Sequence, residues 1–403
     1  MTTDELAWIA TGRHESLFAA DVARREGELR SALGGARVLV IGGAGSIGSA
    51  TVREIVRYQP RVLHVIDTSE NNLVELVRDL RGARLAAGVE LLTLPLDYGS
   101  PVMHRFLLAQ PPYEYVFNFA AIKHVRSERD VCSLLQMIDT NILKQATFLD
   151  WLRAARTPVR YFSVSTDKAA NPVNVMGASK RFAEHVTFAG PGDGPLTATS
   201  ARFANVAFSD GSLLHGWGQR LAKRQPIAVP RDTRRYFISA QEAGQICLLA
   251  GVVGRPRQLL IPRLDAAVDL RDLGQIACAY LEAHGYRAAP YADEGQAMND
   301  VGSLRDAGAY PVLHTALDTS GEKPYEEFVG AGEQAIDIGM EQLQGVRATP
   351  LDGAAVAEAL GTFRRAIADP TAALTKQDVV AILGSVIPHF SHVETGRSLD
   401  DRL

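Results

Sequence analysis

Apolar residues recur along this chain in two alternating rhythms. Short continuous runs rich in Val, Ile and Leu stand between longer stretches in which apolar positions return every three or four residues among charges. The first rhythm predicts strands over residues 38–41, 61–66, 90–95, 115–120 and 160–165. The second predicts helices over 50–57, 102–109, 134–155 and 177–189. Ahead of them, Leu17, Val22, Leu29 and Leu33 punctuate a charged stretch and predict a helix over 13–33. Such alternation favours an α/β fold built on a doubly wound parallel sheet. The carboxyl-terminal half is less regular. Helices are expected over 242–250, 270–284, 353–368 and 376–383, the segment 285–333 reads as loops rich in Gly, Ala, Asp and Pro, and the last dozen residues read as extended.

The most specific local signal is RVLVIGGAGSIG, where the first strand enters a glycine-rich turn and then a helix. A pyrophosphate binds at such a place by coming almost into contact with backbone N–H groups, and side chains would block it. Gly42 allows the tight turn, Gly45 the approach of the phosphates and Gly48 the close packing of helix on strand, with Ser46 and Ile47 opening that helix. Asp67 closes the second strand, where a ribose 2′-hydroxyl would be bound. Its charge would repel a 2′-phosphate and no Arg follows directly, so the unit predicts NAD rather than NADP. Asp97, past the third strand, and Ala120 and Ala121, ending the fourth, fall on the edge expected for the adenosine and diphosphate. The G-x-x-G-x-x-G spacing is that of short-chain dehydrogenase/reductase relatives.

Composition narrows the class without changing it. The chain has 403 residues, 46% hydrophobic and 22% charged, with a formal net charge of −4, a balance that points to neither nucleic acid nor membrane as partner. Cys132, Cys247 and Cys278 form no C-x-x-C pair and read as ordinary thiols of a reducing, cytoplasmic compartment. The first eighteen residues carry Asp4, Glu5, Arg13 and Glu15 and no long apolar stretch, so neither a signal peptide nor a membrane span is expected there. Histidines are scattered and no metal-ligand constellation is expected.

Candidate chemistry concentrates in SVSTDKAANPVNVMGASK, which begins at the carboxyl end of the fifth strand. Thr166, Asp167 and Lys168 offer a hydroxyl, a carboxylate and an amine side by side. Lys180 follows Met176 by four positions, a spacing that is Tyr-x-x-x-Lys in most short-chain dehydrogenases. Here the phenol is missing and methionine accepts no proton, so another base is required and Asp167 is the nearest. Lys180 can still hold the nicotinamide ribose. A helix cap with a neighbouring ion pair is the alternative use of Thr-Asp-Lys.

Several blocks together resemble the nucleotide-sugar 4,6-dehydratases of the capsular-polysaccharide type, within the extended short-chain dehydrogenases. They are VIGGAGSIGSA, HVIDTSENNLVELVRDLR, FNFAAIKHV, STDKAANPVNVMGASKR, ARFANVAFSDGSLLHGW, RRYFISAQEAGQICLL, DTSGEKPYEEF and HVETGRSLDDRL, which span nearly the whole chain. The likeness is greatest to the UDP-N-acetylglucosamine 4,6-dehydratases of legionaminic acid pathways. It implies an internal redox cycle: hydride taken from C4 of the sugar, water lost across C5 and C6, and hydride returned to C6. By the same carry-over Asp167 is the acid for the leaving hydroxyl, Lys168 the C5 base, and Thr166 the group holding the 4-oxygen, the C4 relay lying with either Thr166 or Asp167. Burial beside Lys180 and the cofactor would help keep Lys168 neutral.

The resemblance also implies a domain plan: a helical leader over 1–35, an NAD-binding Rossmann domain over 36–205, a mainly substrate-binding region over 206–340 beginning near 203–209, and a helical extension and tail over 341–403. Lys123 and His124 would line the sugar pocket, Asn141 would be structural, and Asn205 and Ser209 would meet the substrate diphosphate. Arg234 and Arg235 would neutralise that phosphate or stand as a solvated basic pair, and Glu322 and Lys323 would fold over the nucleotide. Helices 134–155 and 177–189 are the expected pairing face of a homodimer or higher homo-oligomer. Alternative functions are an NAD-dependent epimerase or dehydratase of a nucleoside or another nucleotide sugar, and a non-catalytic NAD-binding protein.

Overall fold

The computed structural model describes residues 1–123, 128, 130–189, 194–316, 325–347 and 353–393. His124, Glu322, Lys323 and nearly all of the expected extended tail lie outside them. In chain order the elements are α1 (Thr3–Thr11), α2 (Ala19–Leu33), β1 (Arg37–Ile41), α3 (Ser46–Val56), β2 (Val62–Asp67), α4 (Glu70–Gly82), β3 (Glu90–Pro95), α5 (Pro101–Ala109), β4 (Tyr115–Asn118), α6 (Val131–Ile138), α7 (Lys144–Ala154), β5 (Val159–Val164), α8 (Val175–Phe188) and β6 (Leu196–Ala201). There follow β7 (Asn205–Val206), α9 (Leu213–Ala222), β8 (Ile227–Pro230), β9 (Arg234–Ile238), α10 (Ala240–Val252), β10 (Gln258–Pro262), β11 (Leu270–Asp272), α11 (Leu273–Ala283), β12 (Arg287–Tyr291), α12 (Glu294–Asp306), β13 (Ala309–Thr315), β14 (Gln334–Ile336), β15 (Leu343–Arg347), α13 (Gly353–Ala368) and α14 (Lys376–Val386).

The main sheet runs β14-β15-β10-β6-β5-β4-β1-β2-β3. Its strands from β3 to β10 are parallel, and β15 and β14 join antiparallel at the far edge. Central strands β1, β4 and β10 are buried at every residue, which is why they read as unbroken apolar runs; edge strand β3 is partly exposed throughout. The strand order reverses between β1 and β4, opening a crevice at the carboxyl ends of those strands. One face of the sheet is covered by α2, α3, α4 and α10, through residues such as Leu33, Val52, Leu76 and Ile246. There α10 lies so close on α3 that a Cβ at Gly244 would sit 2.7 Å from the Ala50 carbonyl oxygen. The other face carries α6, α7, α8, α13 and α14. A second lobe packs Ile9, Trp217, Phe237, Tyr280 and Tyr310 around the parallel sheet β12-β13-β8 and the small sheet β11-β9-β7.

Three expectations change. The segment 285–333 is not loop: it holds β12, α12 and β13. Pro290 and Pro311 argue against strands, but β12 is an edge strand, and β8 joins β13 only from Val312 onward. The predicted helix over 13–33 begins at Ala19, and a separate α1 precedes it, closed at Gly12 with φ +72°. The predicted helix over 270–284 gives its first residues to β11, after which Asp272 caps Gln275 N at 2.9 Å.

Part of the face expected for subunit pairing, on α6 and α8, is covered by the chain's own carboxyl-terminal helices. Every residue of α8 is buried, and Val356, Ala359, Phe363, Val379 and Leu383 share a core with Leu134, Met137, Phe182 and Val186. The sequence rhythm of α6 and α8 is that of an apolar interface, and α13 and α14 occupy part of it. Among the described residues no helix is long and apolar enough to cross a membrane. Phe363 is fully buried in this packing. Phe363→Ala is expected to cost about 3–5 kcal/mol of unfolding free energy in urea titration; a loss below about 1 kcal/mol would show that α13 is not seated on this core.

Candidate active site

At the mouth of the crevice each glycine of the turn answers a different constraint. Gly42 has φ +67°, and a Cβ there would lie 2.7 Å from the backbone nitrogen of Ala120. At Gly48 a Cβ would collide with the Gly42 carbonyl oxygen. At Gly43, which the sequence reading passed over, a Cβ would lie 2.5 and 2.9 Å from the Val65 and Val40 side chains. Gly45 differs: a Cβ would meet nothing nearer than the Gly42 oxygen at 3.6 Å, and as N-cap of α3 it supplies no side-chain acceptor. The first N–H groups of α3 therefore face space that an anion fits. Asp67 is held by backbone donors, Ala44 N at 3.0 Å on one oxygen and Ser69 N at 2.9 Å on the other. Asp97 is committed to an ion pair with Lys144 at 2.5 Å and accepts from Gly99 N at 3.0 Å. Ala120 donates its N–H to Asn118 Oδ1 at 3.0 Å.

The crevice continues into a cleft of about 270 Å³ whose lining includes Ile47, Ala121, Lys123, Thr166, Asp167, Lys168, Met176, Lys180, Asn205 and Ser209. Thr166 caps the turn after β5, and its hydroxyl donates to Asp167 Oδ1 at 2.6 Å. Lys168 Nζ lies 3.3 and 3.2 Å from the two Asp167 oxygens. Its side chain is 37% exposed, so the burial expected around it is not found. Lys180 is buried and donates to the Val164 carbonyl at 2.6 Å; burial, opposed by the Glu184 charge, lowers its pKa to about 8.

The start of α8 is doubly capped, by Asn174 Oδ1 on Gly177 N at 2.8 Å and by Glu128 Oε1 on Met176 N at 2.9 Å. Asn141 sits in a wide π turn, Asp139–Leu143, between α6 and α7. Its amide bonds both backbone groups of Ile122, at 2.8 and 3.0 Å, and Ser179 Oγ at 3.0 Å, stitching the end of β4 to α8.

Arg234 and Arg235 do not line the cleft. Arg234 is exposed at the start of β9, and Arg235 Nε lies 3.4 Å from Glu326 Oε1. Ser46 joins the two halves of the site, its hydroxyl accepting from Asp210 N at 2.9 Å. Among the described residues no group of three or more His, Cys, Asp or Glu could hold a metal ion.

The sequence reading missed the charges behind the cleft. Arg202, fully buried after β6, contacts Glu184 at 2.6 and 2.7 Å and Glu333 at 2.6 and 2.9 Å. Arg181 also pairs with Glu333, and Glu184 accepts from Ser165 Oγ at 2.5 Å. Burial pushes the Glu184 carboxyl up, but the charge and hydrogen bonds of Arg202, the Arg181 charge and the Ser165 hydroxyl together outweigh it and bring the pKa to about 2. Glu326 was missed as well. It is buried, and burial first, then the Asp167 charge, raise its pKa.

The profile of a family described as polysaccharide biosynthesis protein matches residues 38–346. The chain is 28% identical over 306 residues to the capsular polysaccharide biosynthesis protein CapD of Staphylococcus aureus, a match covering 73% of this chain and 45% of that protein. It thus spans less than half the length of that relative. Among solved structures it is similar to Pen from Bacillus thuringiensis, with a TM-score of 0.63, 23% identity, and coverage of 78% of this chain and 88% of that one. It is also similar to UDP-glucuronic acid 4-epimerase from Bacillus cereus in complex with UDP-glucuronic acid and NAD, with a TM-score of 0.50, 14% identity, and coverage of 72% and 89%. These likenesses show the fold.

Two outcomes are expected. Glu333→Gln weakens a buried network and is expected to cost about 3–5 kcal/mol in urea titration, whereas an unchanged midpoint would mean that the network is dispensable. Lys180 titrates near 8 in the native chain and near 10.5 when unfolded. Between those values the unfolded chain binds the proton that the native chain lacks, so this lysine makes stability rise with pH across the window. The stability difference between the ligand-free protein and its Lys180→Met variant is therefore expected to shift toward the wild type from pH 8 to 10; a flat difference would contradict the assignment.

Proposed function

The chain belongs to the polysaccharide biosynthesis protein family, and on that premise we propose that it is an NAD-dependent 4,6-dehydratase of a UDP-activated aminohexose, UDP-N-acetylglucosamine. The observation that carries this reading is the contact chain Thr166–Asp167–Lys168 at the end of β5, in one cleft with Lys180 and with Met176 where a phenol would otherwise stand.

NAD fits the residues at the crevice. The open N-terminus of α3 at Gly45 and Ser46 suits its diphosphate, Asp67 a ribose diol and Lys180 the nicotinamide ribose. When bound, it supplies the hydride acceptor for C4 and the donor for C6. A related fold crystallised with UDP-glucuronic acid and NAD supports the same pairing of ligands here.

The proton bookkeeping follows from the side chains. Thr166 hydrogen-bonds the 4-hydroxyl and hands its proton to Asp167, 2.6 Å away. Asp167, now a carboxylic acid, protonates the 6-hydroxyl, which leaves as water. Lys168, once it has given up its own proton, takes the C5 proton, now acidified by the C4 ketone, and returns a proton to C5 when C6 has been reduced. Atoms balance: the C4 hydroxyl proton departs in the water, the C4 hydride ends on C6, and the product is a 4-keto-6-deoxy sugar. The Thr166–Asp167 hydrogen bond supports a relay using both residues, and the absence of a phenol counts against a reaction that needs only a tyrosine base.

Incubation with UDP-N-acetylglucosamine and NAD is expected to give a product lighter by one water in mass spectrometry; an unaltered sugar in the presence of bound NAD would sink the proposal. In deuterated water, Lys168→Met is expected to abolish label at C5 while NAD binding persists, and labelling at the wild-type rate would remove Lys168 from its role.

A further inference from the structure

Glu326, from the stretch that follows β13, stands behind Asn205 of the cleft lining and also meets Tyr236 and Arg235, whose Nε lies 3.4 Å from its Oε1. Its Oε1 accepts from Asn205 Nδ2 at 2.6 Å and its Oε2 from Tyr236 N at 3.0 Å. The same Asn205 nitrogen also donates to the Tyr236 carbonyl at 3.2 Å. A primary amide has two N–H groups and one carbonyl oxygen. Both N–H groups of Asn205 are directed at Glu326 and Tyr236, and a carboxylate 2.6 Å away does not tolerate the amide turned around, because two acceptors would then face each other. Asn205 lines the cleft beside Asp167 and Lys168, so the atom with which it can address a ligand there is Oδ1.

We propose that Glu326 is a specificity-determining positioning residue: it locks Asn205 with its carbonyl oxygen toward the cleft, so that this wall selects a hydrogen-bond donor on the sugar and disfavours a phosphate oxygen. This rests on the nucleotide-sugar reading and refines it. It differs from the sequence-based expectation that Asn205 meets the diphosphate, since a carbonyl oxygen has nothing to donate to an anion. The donors available are a sugar hydroxyl or an acylamino N–H.

The test measures binding of UDP, UDP-glucose and UDP-N-acetylglucosamine by calorimetry, with NAD present, to the wild type and to Glu326→Gln. A glutamine amide can donate to Asn205 Oδ1, which frees Asn205 to turn and place its nitrogen toward the cleft. UDP-sugar affinity is expected to fall about 10-fold or more, while UDP affinity stays within about 2-fold. A fall for both UDP-sugars assigns a hydroxyl as the donor, and a fall for UDP-N-acetylglucosamine alone assigns the acylamino group; either supports the inference. Asn205→Ala removes the acceptor without touching Glu326 and is expected to give the same split. Equal weakening of UDP and UDP-sugars, or no change at all, overturns the inference alone. Failure of the wild type to bind any of the three overturns the nucleotide-sugar reading and this inference with it.

Discussion

The guanidinium of Arg202 is the point on which the geometry of the site converges. It is fully buried at the carboxyl end of β6, and taking such a charge out of water is costly unless every donor is met. Here its partners are Glu184 on α8, Glu333 just before β14, and the Phe328 carbonyl at 2.9 Å. Glu184 belongs to one part of the chain, and Phe328 and Glu333 to another, so one buried cation joins the helix that carries Lys180, the strand end that precedes Asn205, and the stretch that delivers Glu326. Through Ser165, whose hydroxyl donates to Glu184, the same network reaches the residue next to Thr166. The network orders the site from behind, and the cleft itself is left with side chains that have chemistry to perform.

This explains which parts were legible in the sequence. The parallel sheet could be read because strands buried on both faces must be continuous apolar runs, and the glycine turn because Gly42 and Gly48 meet backbone atoms where no side chain fits. Thr166, Asp167, Lys168, Met176 and Lys180 are neighbours in sequence as well as in space. Arg202, Glu184 and Glu333 are not: they meet across long separations and obey no spacing rule. Helix α8 adds to the difficulty. With Lys180, Arg181, Glu184 and His185 along it, it reads as amphipathic with one wet face, yet every residue is buried: its apolar residues share a core with α13 and α14, Arg181 and Glu184 enter the Arg202–Glu333 network, and Lys180 lines the cleft. The region of β12, α12 and β13 was misread for a related reason. Its prolines are breakers by local rule, and only the tertiary positions of an edge strand and of a ladder that starts at Val312 make them harmless.

The missing phenol then has a structural setting. Met176 occupies the first turn of α8 with its N–H tied to Glu128, and Glu128 in turn lies 3.5 Å from His392 beyond α14. Val393 N donates to the Val173 carbonyl at 2.9 Å, so the segment after α14 returns to the loop that leads into the same turn. The position is thus braced from two sides by groups that have no part in moving protons. A thioether at this place closes the wall of the cleft with an apolar surface, and the groups able to exchange protons with a ligand are displaced to the opposite strand end, where Thr166, Asp167 and Lys168 form a contiguous chain of contacts. In an enzyme with a tyrosine on α8, the oxidation step and the elimination step can draw on bases from two elements. In the reaction we propose, one turn after β5 supplies both, and the 2.6 Å hydrogen bond between Thr166 and Asp167 would let the proton released in the first step be the one consumed in the second.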